Sequence, residues 1–317
     1  MAESVVETRN LTRYFGPKCV VRALDLTVPR GCVFGFLGRN GAGKTTTIRM
    51  LLGLLEPTRG SATVLGHDSQ NLPPEVRARV GHLAEGHFVY GWMRVAECGQ
   101  FQRRFYEARR CRSGFCGHWN ADLFHGVLKY FRLEPTDRVR NLSRGERAGL
   151  CLALTLAPEP ELLILDDPGL GLDPVARRAL LEAMVYVTRQ ADRTIFFSSH
   201  LISDVERVAD RIAVLDRGQL RACCTLEEIR RRVRRVVLRF AGRPPELPVI
   251  PGLLHSLRTE GELALTVANY DGQTETLIHA LGAERVEEVP IDLEEAFVSY
   301  LAERGERSFF LGAGGGA

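Results

Sequence analysis

The stretch Gly38 to Thr46 reads GRNGAGKTT and contains the pattern G-x-x-x-x-G-K-[ST]. The apolar run Cys32 to Leu37 precedes it and predicts a strand, and the stretch Thr45 to Leu55 predicts a helix. Glycines between a strand and a helix let the backbone curl so that successive N–H groups point at one place. The helix N-terminus adds about half a positive charge there. The sequence therefore predicts a loop that binds a nucleoside triphosphate, rather than an ordinary glycine-rich turn.

The residues of this loop are expected to bind different parts of the ligand. Lys44 supplies a point charge for the β- and γ-phosphates, and the Thr45 hydroxyl is placed to bind Mg²⁺. The other residues expected to bind the nucleotide are Gly38, Asn40, Gly41, Ala42, Gly43 and Thr46.

A second part of the site is predicted at the end of another buried strand. Leu162 to Leu165 are four consecutive apolar residues, typical of a parallel strand covered on both faces, and Asp166 and Asp167 follow them. Ligands of doubly wound sheets lie beyond the carboxyl ends of the strands, so we expect both carboxylates to face the phosphate loop. Asp166 is expected to support the metal, and Asp167 is expected to orient the attacking water.

The order of these motifs resembles that of the nucleotide-binding subunits of ATP-binding cassette (ABC) transporters. Leu142 to Glu146, LSRGE, is similar to the family's signature loop, usually LSGGQ, and Gly171 to Pro174 is similar to its D-loop. His200 follows the strand-like run Thr194 to Ser199 and stands where the family has its switch histidine. The resemblance covers roughly residues 5 to 230. It implies an α/β, P-loop NTPase core of the ABC ATPase type with a helical subdomain.

Two further positions match the family outside these motifs. Phe15 matches the aromatic residue that stacks on adenine, with Tyr14 beside it, and Glu85 occupies the Q-loop position. The resemblance implies that Glu85 binds the metal or its water. It also implies that Glu85 acts in ATP hydrolysis together with Asp167 and His200.

The resemblance implies a homodimer in which two ATP-binding domains enclose ATP. Lys44 and Thr45 of one copy would bind the nucleotide, and Ser143 and Gly145 of the other copy would cover it. Closure would assemble the site and hydrolysis would release it. The Q-loop segment would pass this movement to an integral membrane permease subunit. A net charge of +3 is too small to indicate nucleic acid, and no specific nucleic-acid partner is expected.

Several motifs also fit simpler interpretations, which the residues alone leave open. Ser143 and Glu146 form a capping box, which would by itself explain a helix start, although a capped helix can also face phosphate. His200 alone would more often be a strand-end histidine than a catalytic group. Phe15 could be a core residue, and Asp173 could be only a turn residue.

The sequence departs from the family pattern at positions close to the chemistry. Asp167 replaces the usual Glu and is one methylene shorter, and a misplacement of about 1 Å can cost about a hundredfold in rate. We therefore predict slow hydrolysis of ATP to ADP and phosphate. Glu85 replaces a Gln, Arg144 replaces the first Gly of the signature, and Gly149 stands where many relatives carry a positive charge.

The composition bounds the setting of the protein. No run approaches the roughly eighteen apolar residues that span a membrane, and no apolar segment follows Met1, so we expect no secretory signal. The expected location is cytoplasmic, peripheral on the inner face of the cell membrane. Eight cysteines beside a phosphate loop indicate a reducing cytosol. A zinc site is disfavoured because its candidate ligands lack paired C-x-x-C spacing; they are Cys98, Cys111, Cys116 and His118.

The predicted domains are an ATP-binding domain over 1–230 with a helical subdomain at about 86–150, a small α/β accessory domain over 231–305, and a disordered tail over 306–317. The helical subdomain contains an amphipathic run, Asn120 to Phe131. Similar C-terminal extensions occur in drug- and antibiotic-export ATPases of the family.

The accessory domain is predicted from short local patterns. A capping box at Thr225 to Glu228 predicts a helix to about Arg235, whose arginine-rich end we interpret as a solvated face. Binding to an anionic membrane surface is the second interpretation of this run. Strands are predicted over Val236 to Phe240 and Leu263 to Val267. Asp292 to Glu295 predicts the cap of a final helix that extends to about residue 302.

The function that these patterns favour is that of an ATP-hydrolysing subunit that powers transport, in the export direction, through a separate membrane subunit. A non-transport ABC ATPase, or an ATP-gated regulatory clamp with very slow turnover, is the alternative. The replacement of the usual Glu by Asp167 is the feature that leaves the regulatory clamp as an alternative interpretation. The single phosphate loop and the lack of a long coiled-coil insertion argue against the translation and chromosome classes of relative.

Overall fold

The fold was obtained as a computed structural model that describes residues 3–108, 118–191, 193–268, 270–289, 291–292, 294–296 and 298. The chain divides into two compact units, Met1–Cys224 and Thr225–Ala317. The strands are β1 (Ser4–Phe15), β2 (Lys18–Pro29), β3 (Val33–Leu37), β4 (Arg59–Val64), β5 (His67–Asp68), β6 (Val80–Leu83), β7 (Leu162–Leu165), β8 (Thr194–Ser199), β9 (Arg211–Asp216), β10 (Gln219–Thr225), β11 (Arg234–Arg239), β12 (Leu253–Arg258), β13 (Glu262–Val267) and β14 (Arg285–Val289). The helices are α1 (Lys44–Leu51), α2 (Pro74–Arg77), α3 (Val95–Ala108), α4 (Ala121–Tyr130), α5 (Arg144–Leu156), α6 (Pro174–Ala191), α7 (Ile202–Val208), α8 (Leu226–Arg232) and α9 (Gly272–His279).

The first unit is built on a six-stranded sheet with the order β10-β9-β3-β8-β7-β6. Strands β9, β3, β8, β7 and β6 pair in parallel. Every residue of β3, β7 and β8 is buried, which explains their continuous apolar sequences. Parallel strands end at the same edge, so the loops after β3, β7 and β8 meet there.

Aromatic packing fills the middle of this sheet. Phe196 of β8 lies between Phe34 and Phe36 of β3, with ring centroids 5.8 and 5.2 Å away. A second sheet, β2-β1-β4-β5, is antiparallel and shares the same core. The common core fixes the position of the C-terminal end of β3, from which the phosphate loop starts.

Helices α3 and α4 both pack against α5 in this unit. Asn120 caps α4 by accepting a hydrogen bond from the Leu123 N–H at 2.9 Å, and the helix buries its apolar face. The predicted amphipathic helix over Asn120 to Phe131 is thus confirmed to within a residue. A Cβ at Gly149 of α5 would lie 2.7 Å from the Phe131 Cβ, which explains a glycine at this contact.

Two predicted helices end earlier than their sequences indicated. Helix α1 stops at Leu51 rather than Leu55, because Gly53 adopts a φ of +67° where a Cβ would collide with the Ser69 carbonyl. Helix α8 stops at Arg232 rather than Arg235, because Arg234 and the residues after it form β11.

The second unit contains a four-stranded antiparallel sheet with the order β12-β13-β11-β14. Residues of β11, β13 and α9 fill its core. The capping box of Thr225 and Glu228 is present at the start of α8. Asp292 accepts a hydrogen bond from the Glu295 N–H at 2.7 Å, as a cap does, while most of the predicted final helix and the 306–317 tail lie outside the described residues.

No helix in the described ranges combines the length and the apolar character needed to cross a bilayer. Cys111 and Cys116, two of the four candidate zinc ligands, lie outside the described residues.

Candidate active site

The phosphate loop wraps around the Lys44 side chain. Lys44 Nζ donates hydrogen bonds to the Gly38 carbonyl at 2.7 Å and the Arg39 carbonyl at 3.3 Å, and only 7% of the residue is exposed. Burial lowers the pKa of Lys44, and the nearby carboxylates of Asp167, Asp166 and Glu85 oppose this shift. A buried ammonium group surrounded by backbone dipoles is poised to exchange a carbonyl for a phosphate oxygen.

Two glycines allow the close backbone approach that this loop needs. Gly43 has a φ of +109°, and a Cβ there would lie 2.7 Å from the Val20 carbonyl oxygen. A Cβ at Gly38 would lie 2.5 Å from the Leu215 carbonyl oxygen. Both positions therefore exclude any larger residue, because the obstacle is backbone rather than a flexible side chain.

A cavity of about 310 Å³ lies in front of the loop. Most of the residues predicted from the sequence line it, together with two that were not predicted, Val20 and Leu170. The lining residues are Val20, Asn40, Gly41, Gly43, Lys44, Thr45, Thr46, Glu85, Asp166, Asp167 and Leu170. Gly38 holds Lys44 through its carbonyl, and Ala42 is buried within the loop.

The acidic side of the cavity is organised by Ser198, which the sequence analysis missed. Its hydroxyl donates to Asp166 Oδ1 at 2.8 Å and accepts from the Asp167 N–H at 2.9 Å. Ser198 belongs to β8, which pairs in parallel with β7, so its position beside the two acids follows from sheet register. The two serines at the end of β8 were the signal available in the sequence. They indicate a contact with Asp166 and Asp167 only once β8 is known to pair with β7.

His200 makes a direct contact with Asp167. Its Nδ1 lies 2.6 Å from Asp167 Oδ2, and the Asp167 residue is only 7% exposed. Asp167 has a φ of +40°, which is uncommon for a residue other than glycine. Such a conformation persists where the surroundings fix it, and the contacts with Ser198 and His200 do so.

His87 is a second residue that the sequence analysis did not identify. The ring is 5% exposed, and Nε2 lies 3.0 Å from the carbonyl oxygen of Pro168, the residue after Asp167. Burial lowers the pKa of His87, and the Pro168 carbonyl opposes this shift. Only its position two residues after Glu85 connects it to the site in the sequence.

The cavity carries oxygen ligands that suit Mg²⁺. The Thr45 hydroxyl and the carboxylates of Asp166 and Glu85 are the ligands assigned from sequence, and all three residues line it. Mg²⁺ keeps several of its waters and needs only one or two carboxylates beside substrate phosphates, so this donor set fits the ion.

The signature segment lies at the start of α5 and does not line the cavity of its own chain. Ser143 Oγ accepts from the Glu146 N–H at 3.2 Å, and Glu146 accepts from the Ser143 N–H at 2.8 Å, so the predicted capping box is confirmed. Arg144 Nη1 lies 3.4 Å from the Gly171 carbonyl oxygen. A Cβ at Gly145 would lie 2.7 Å from the Ala176 Cβ, because the start of α5 packs close to α6.

The structure bears on two simpler interpretations, that Phe15 is a core residue and that Asp173 is only a turn residue. Phe15 is 47% exposed, with the Arg13 guanidinium 4.7 Å from its ring centroid, so it is not a core residue. It does not line the cavity. Asp173 directly precedes α6, and its Oδ1 accepts from the N–H groups of Val175 and Ala176 at 2.9 and 3.0 Å, so it caps the start of this helix.

Several known proteins have sequences similar to that of this chain. The family described as "ABC transporter" matches residues 21–169. The bacitracin transport ATP-binding protein BcrA of Bacillus licheniformis is 33% identical over 228 residues, covering 71% of this chain and 70% of that protein. The daunorubicin/doxorubicin resistance ATP-binding protein DrrA of Streptomyces peucetius is 35% identical over 241 residues, covering 74% of this chain and 69% of that protein.

Solved structures agree with these sequence matches. A structure described as the ATP-binding subunit of an ABC transporter superposes with a TM-score of 0.61 and 28% identity, covering 72% of this chain and 92% of that chain. A nucleotide-free ATP-binding cassette has the same fold, with a TM-score of 0.59 and 19% identity. The chain therefore belongs to the ABC transporter family, as one of its ATP-binding subunits.

Proposed function

We propose that this chain works as a homodimer that hydrolyses Mg²⁺-bound ATP and drives export through a separate membrane permease. The observation that carries this proposal is one cavity lined by Lys44, Thr45, Asp166 and Asp167. His200 does not line this cavity but contacts Asp167. The names of the relatives, which refer to bacitracin transport and to drug resistance, support the export direction.

The described contacts suggest a role for each residue. Lys44 binds the phosphates, Thr45 and Asp166 hold the metal with Glu85 beside them, and Asp167 orients the attacking water. Bound Mg²⁺ would neutralise the negative charge that develops on the phosphates. His200 fixes the Asp167 carboxylate through its 2.6 Å contact.

Among the described residues, those of the signature segment lie outside the cavity lining, which supports a sandwich of two copies. Ser143 and Gly145 do not line the cavity of their own chain, although α5 presents them at a capped N-terminus. A helix N-terminus binds phosphate through free N–H groups and its dipole. The second copy would therefore supply Ser143 and Gly145 to each site, and Phe15 would stack on the adenine.

An exposed group of aromatic side chains supports a membrane partner at the cytoplasmic face of the cell membrane. We call it the aromatic patch, and it consists of Phe88, Tyr90, Trp92, Phe101 and Phe105. Phe88 is 88% exposed and Trp92 is 68% exposed. Exposed apolar groups of this kind mark interaction sites, and this one begins three residues after Glu85.

The test is the ATPase rate measured against protein concentration for the wild type and for Lys44→Ala. A rate that rises faster than linearly with concentration, and that is lost in Lys44→Ala, is expected for a hydrolysing dimer. No turnover in the wild type, together with ATP-dependent dimerisation, would contradict hydrolysis. It would favour the regulatory clamp, which the replacement of Glu by Asp167 also suggests.

A further inference from the structure

We infer that His87 is a positioning residue that couples the aromatic patch to Asp167. The inference rests on the proposed function, since it assigns a regulatory link to the same hydrolytic site. His87 directly precedes Phe88, the most exposed member of the patch, and its ring reaches the chain directly after Asp167.

The link is one hydrogen bond between distant parts of the chain. Nε2 of His87 lies 3.0 Å from the Pro168 carbonyl oxygen. A carbonyl oxygen only accepts, so Nε2 carries the proton and donates it. The ring is 5% exposed, so water competes little and the bond is stronger than it would be on the surface.

The donor residue and the residue before the acceptor both adopt backbone conformations that depend on their surroundings. The donor His87 has a φ of +52°, and Asp167, the residue before the acceptor Pro168, has a φ of +40°. Such values are uncommon for residues other than glycine. Gly86, with a φ of +89°, completes the turn, where a Cβ would lie 2.8 Å from the Phe88 ring. Strained residues of this kind persist only where neighbouring groups hold them.

The contact with His87 complements those already described for Asp167. Ser198 accepts a hydrogen bond from the Asp167 N–H, and His200 contacts the carboxylate. His87 holds the carbonyl of the next residue, on the other side of the Asp167 Cα. A displacement of the segment from His87 to Tyr90 would therefore shift Pro168 and, with it, the backbone of Asp167. A partner bound to the aromatic patch can then change the rate without touching the nucleotide.

The test compares two replacements of His87 in the full chain. His87→Gln keeps an N–H donor at a position close to that of Nε2, and His87→Leu has a similar size without a donor. We expect kcat for Mg²⁺-ATP to fall about tenfold or more in His87→Leu, because misplacement of a reacting group by about 1 Å can cost a hundredfold. The KM should change by less than about twofold, since the nucleotide contacts remain. His87→Gln should restore kcat to within about threefold of the wild type.

Either of two kinetic results would overturn the proposal. One is a His87→Gln enzyme as slow as His87→Leu, which would show that the imidazole ring itself, rather than the donated hydrogen bond, matters. The other is wild-type kcat in both variants. Thermal unfolding of both variants provides the control for a general loss of structure.

Amide hydrogen exchange without nucleotide gives a readout that does not depend on turnover. Exchange over residues 165–170 should be faster in His87→Leu than in the wild type and should return to wild-type rates in His87→Gln, with β1 unchanged as the control. Unchanged exchange over 165–170 in His87→Leu would overturn the role of His87. Absence of ATP turnover in the wild type would instead contradict the proposed function, and the exchange data would still decide the role of His87.

Discussion

Asp167 is the residue whose chemistry distinguishes this chain from the usual family pattern. Its carboxylate lies 2.6 Å from His200 Nδ1, and its backbone N–H donates to Ser198. A carboxylate held this tightly near the chain has less reach toward a water at the γ-phosphate than a glutamate would have. The structure thus gives a geometric reason for the slow turnover that the sequence predicts.

The first prediction is that Asp167→Glu increases kcat by up to about a hundredfold, because the carboxylate regains about 1 Å of reach toward the water. The measurement is steady-state ATP turnover at saturating Mg²⁺-ATP. Asp167→Asn is the matched control and should be slower than the wild type, since it keeps the size of Asp167 but removes the charge. Unchanged turnover in Asp167→Glu would refute the explanation based on reach.

The second prediction concerns the buried Ser198 hydroxyl. Ser198→Ala removes the partner of both Asp166 and the Asp167 N–H, and leaving a buried polar group unsatisfied costs about 1–3 kcal/mol. We expect the free energy of unfolding of the first unit to fall by this amount and ATP turnover to fall as well. Denaturant titration and ATPase assays measure the two effects. Ser198→Thr keeps a hydroxyl and is the control. If it lost as much stability and turnover as Ser198→Ala, the hydrogen bonds would not be the cause.

At this scale, local patterns identified some site residues and not others. Lys44, Thr45, Asp166 and Asp167 line one cavity, as their motifs indicated, because each motif is a short strand-to-loop segment. Ser198 and His87 were missed because their contacts join segments that are far apart in the sequence. Their roles depend on strand order and on the course of a loop, and neither leaves a local pattern.

At the scale of elements, burial decides which strands the sequence reveals. Strands β7 and β8 are buried along their whole length and were predicted within their observed bounds. Strands β12 and β14 lie at the two edges of their sheet and carry many exposed residues, so their sequences resemble loops. Helix ends were also misjudged where a glycine or a neighbouring strand stopped the helix.

The third prediction tests the packing of α4 against α5. Gly149→Ala would place a Cβ 2.7 Å from the Phe131 Cβ. Overpacking of this kind costs about 1–3 kcal/mol, so we expect the free energy of unfolding of the first unit to decrease by that amount. Denaturant titration measures it.

Gly126→Ala in α4 is the matched control for this helix pair. A Cβ at Gly126 meets nothing within 4 Å, so the change should stabilise the helix by about 0.8–1.0 kcal/mol through helix propensity alone. Equal effects of the two substitutions would contradict the close packing at Gly149.

For the molecule as a whole, we propose that each ATP site is shared between two copies. The phosphate loop and the acids surround one cavity, whereas Ser143 and Gly145 start a capped helix that does not line it. Binding energy released on closure would then be available to move a membrane partner. Family membership establishes an ATP-binding subunit, and the proposed sandwich would explain how such a subunit converts ATP binding into movement.

The most direct test of this claim is a mixing experiment with Lys44→Ala, which lacks the phosphate contact, and Ser143→Arg, which blocks the signature side. Each variant alone should be inactive. In an equimolar mixture, half of all dimers should contain one copy of each variant, and one of the two sites in each such dimer is intact. The mixture should therefore recover about a quarter of the wild-type ATPase rate. A mixture with no more activity than the sum of its two components would contradict a shared site.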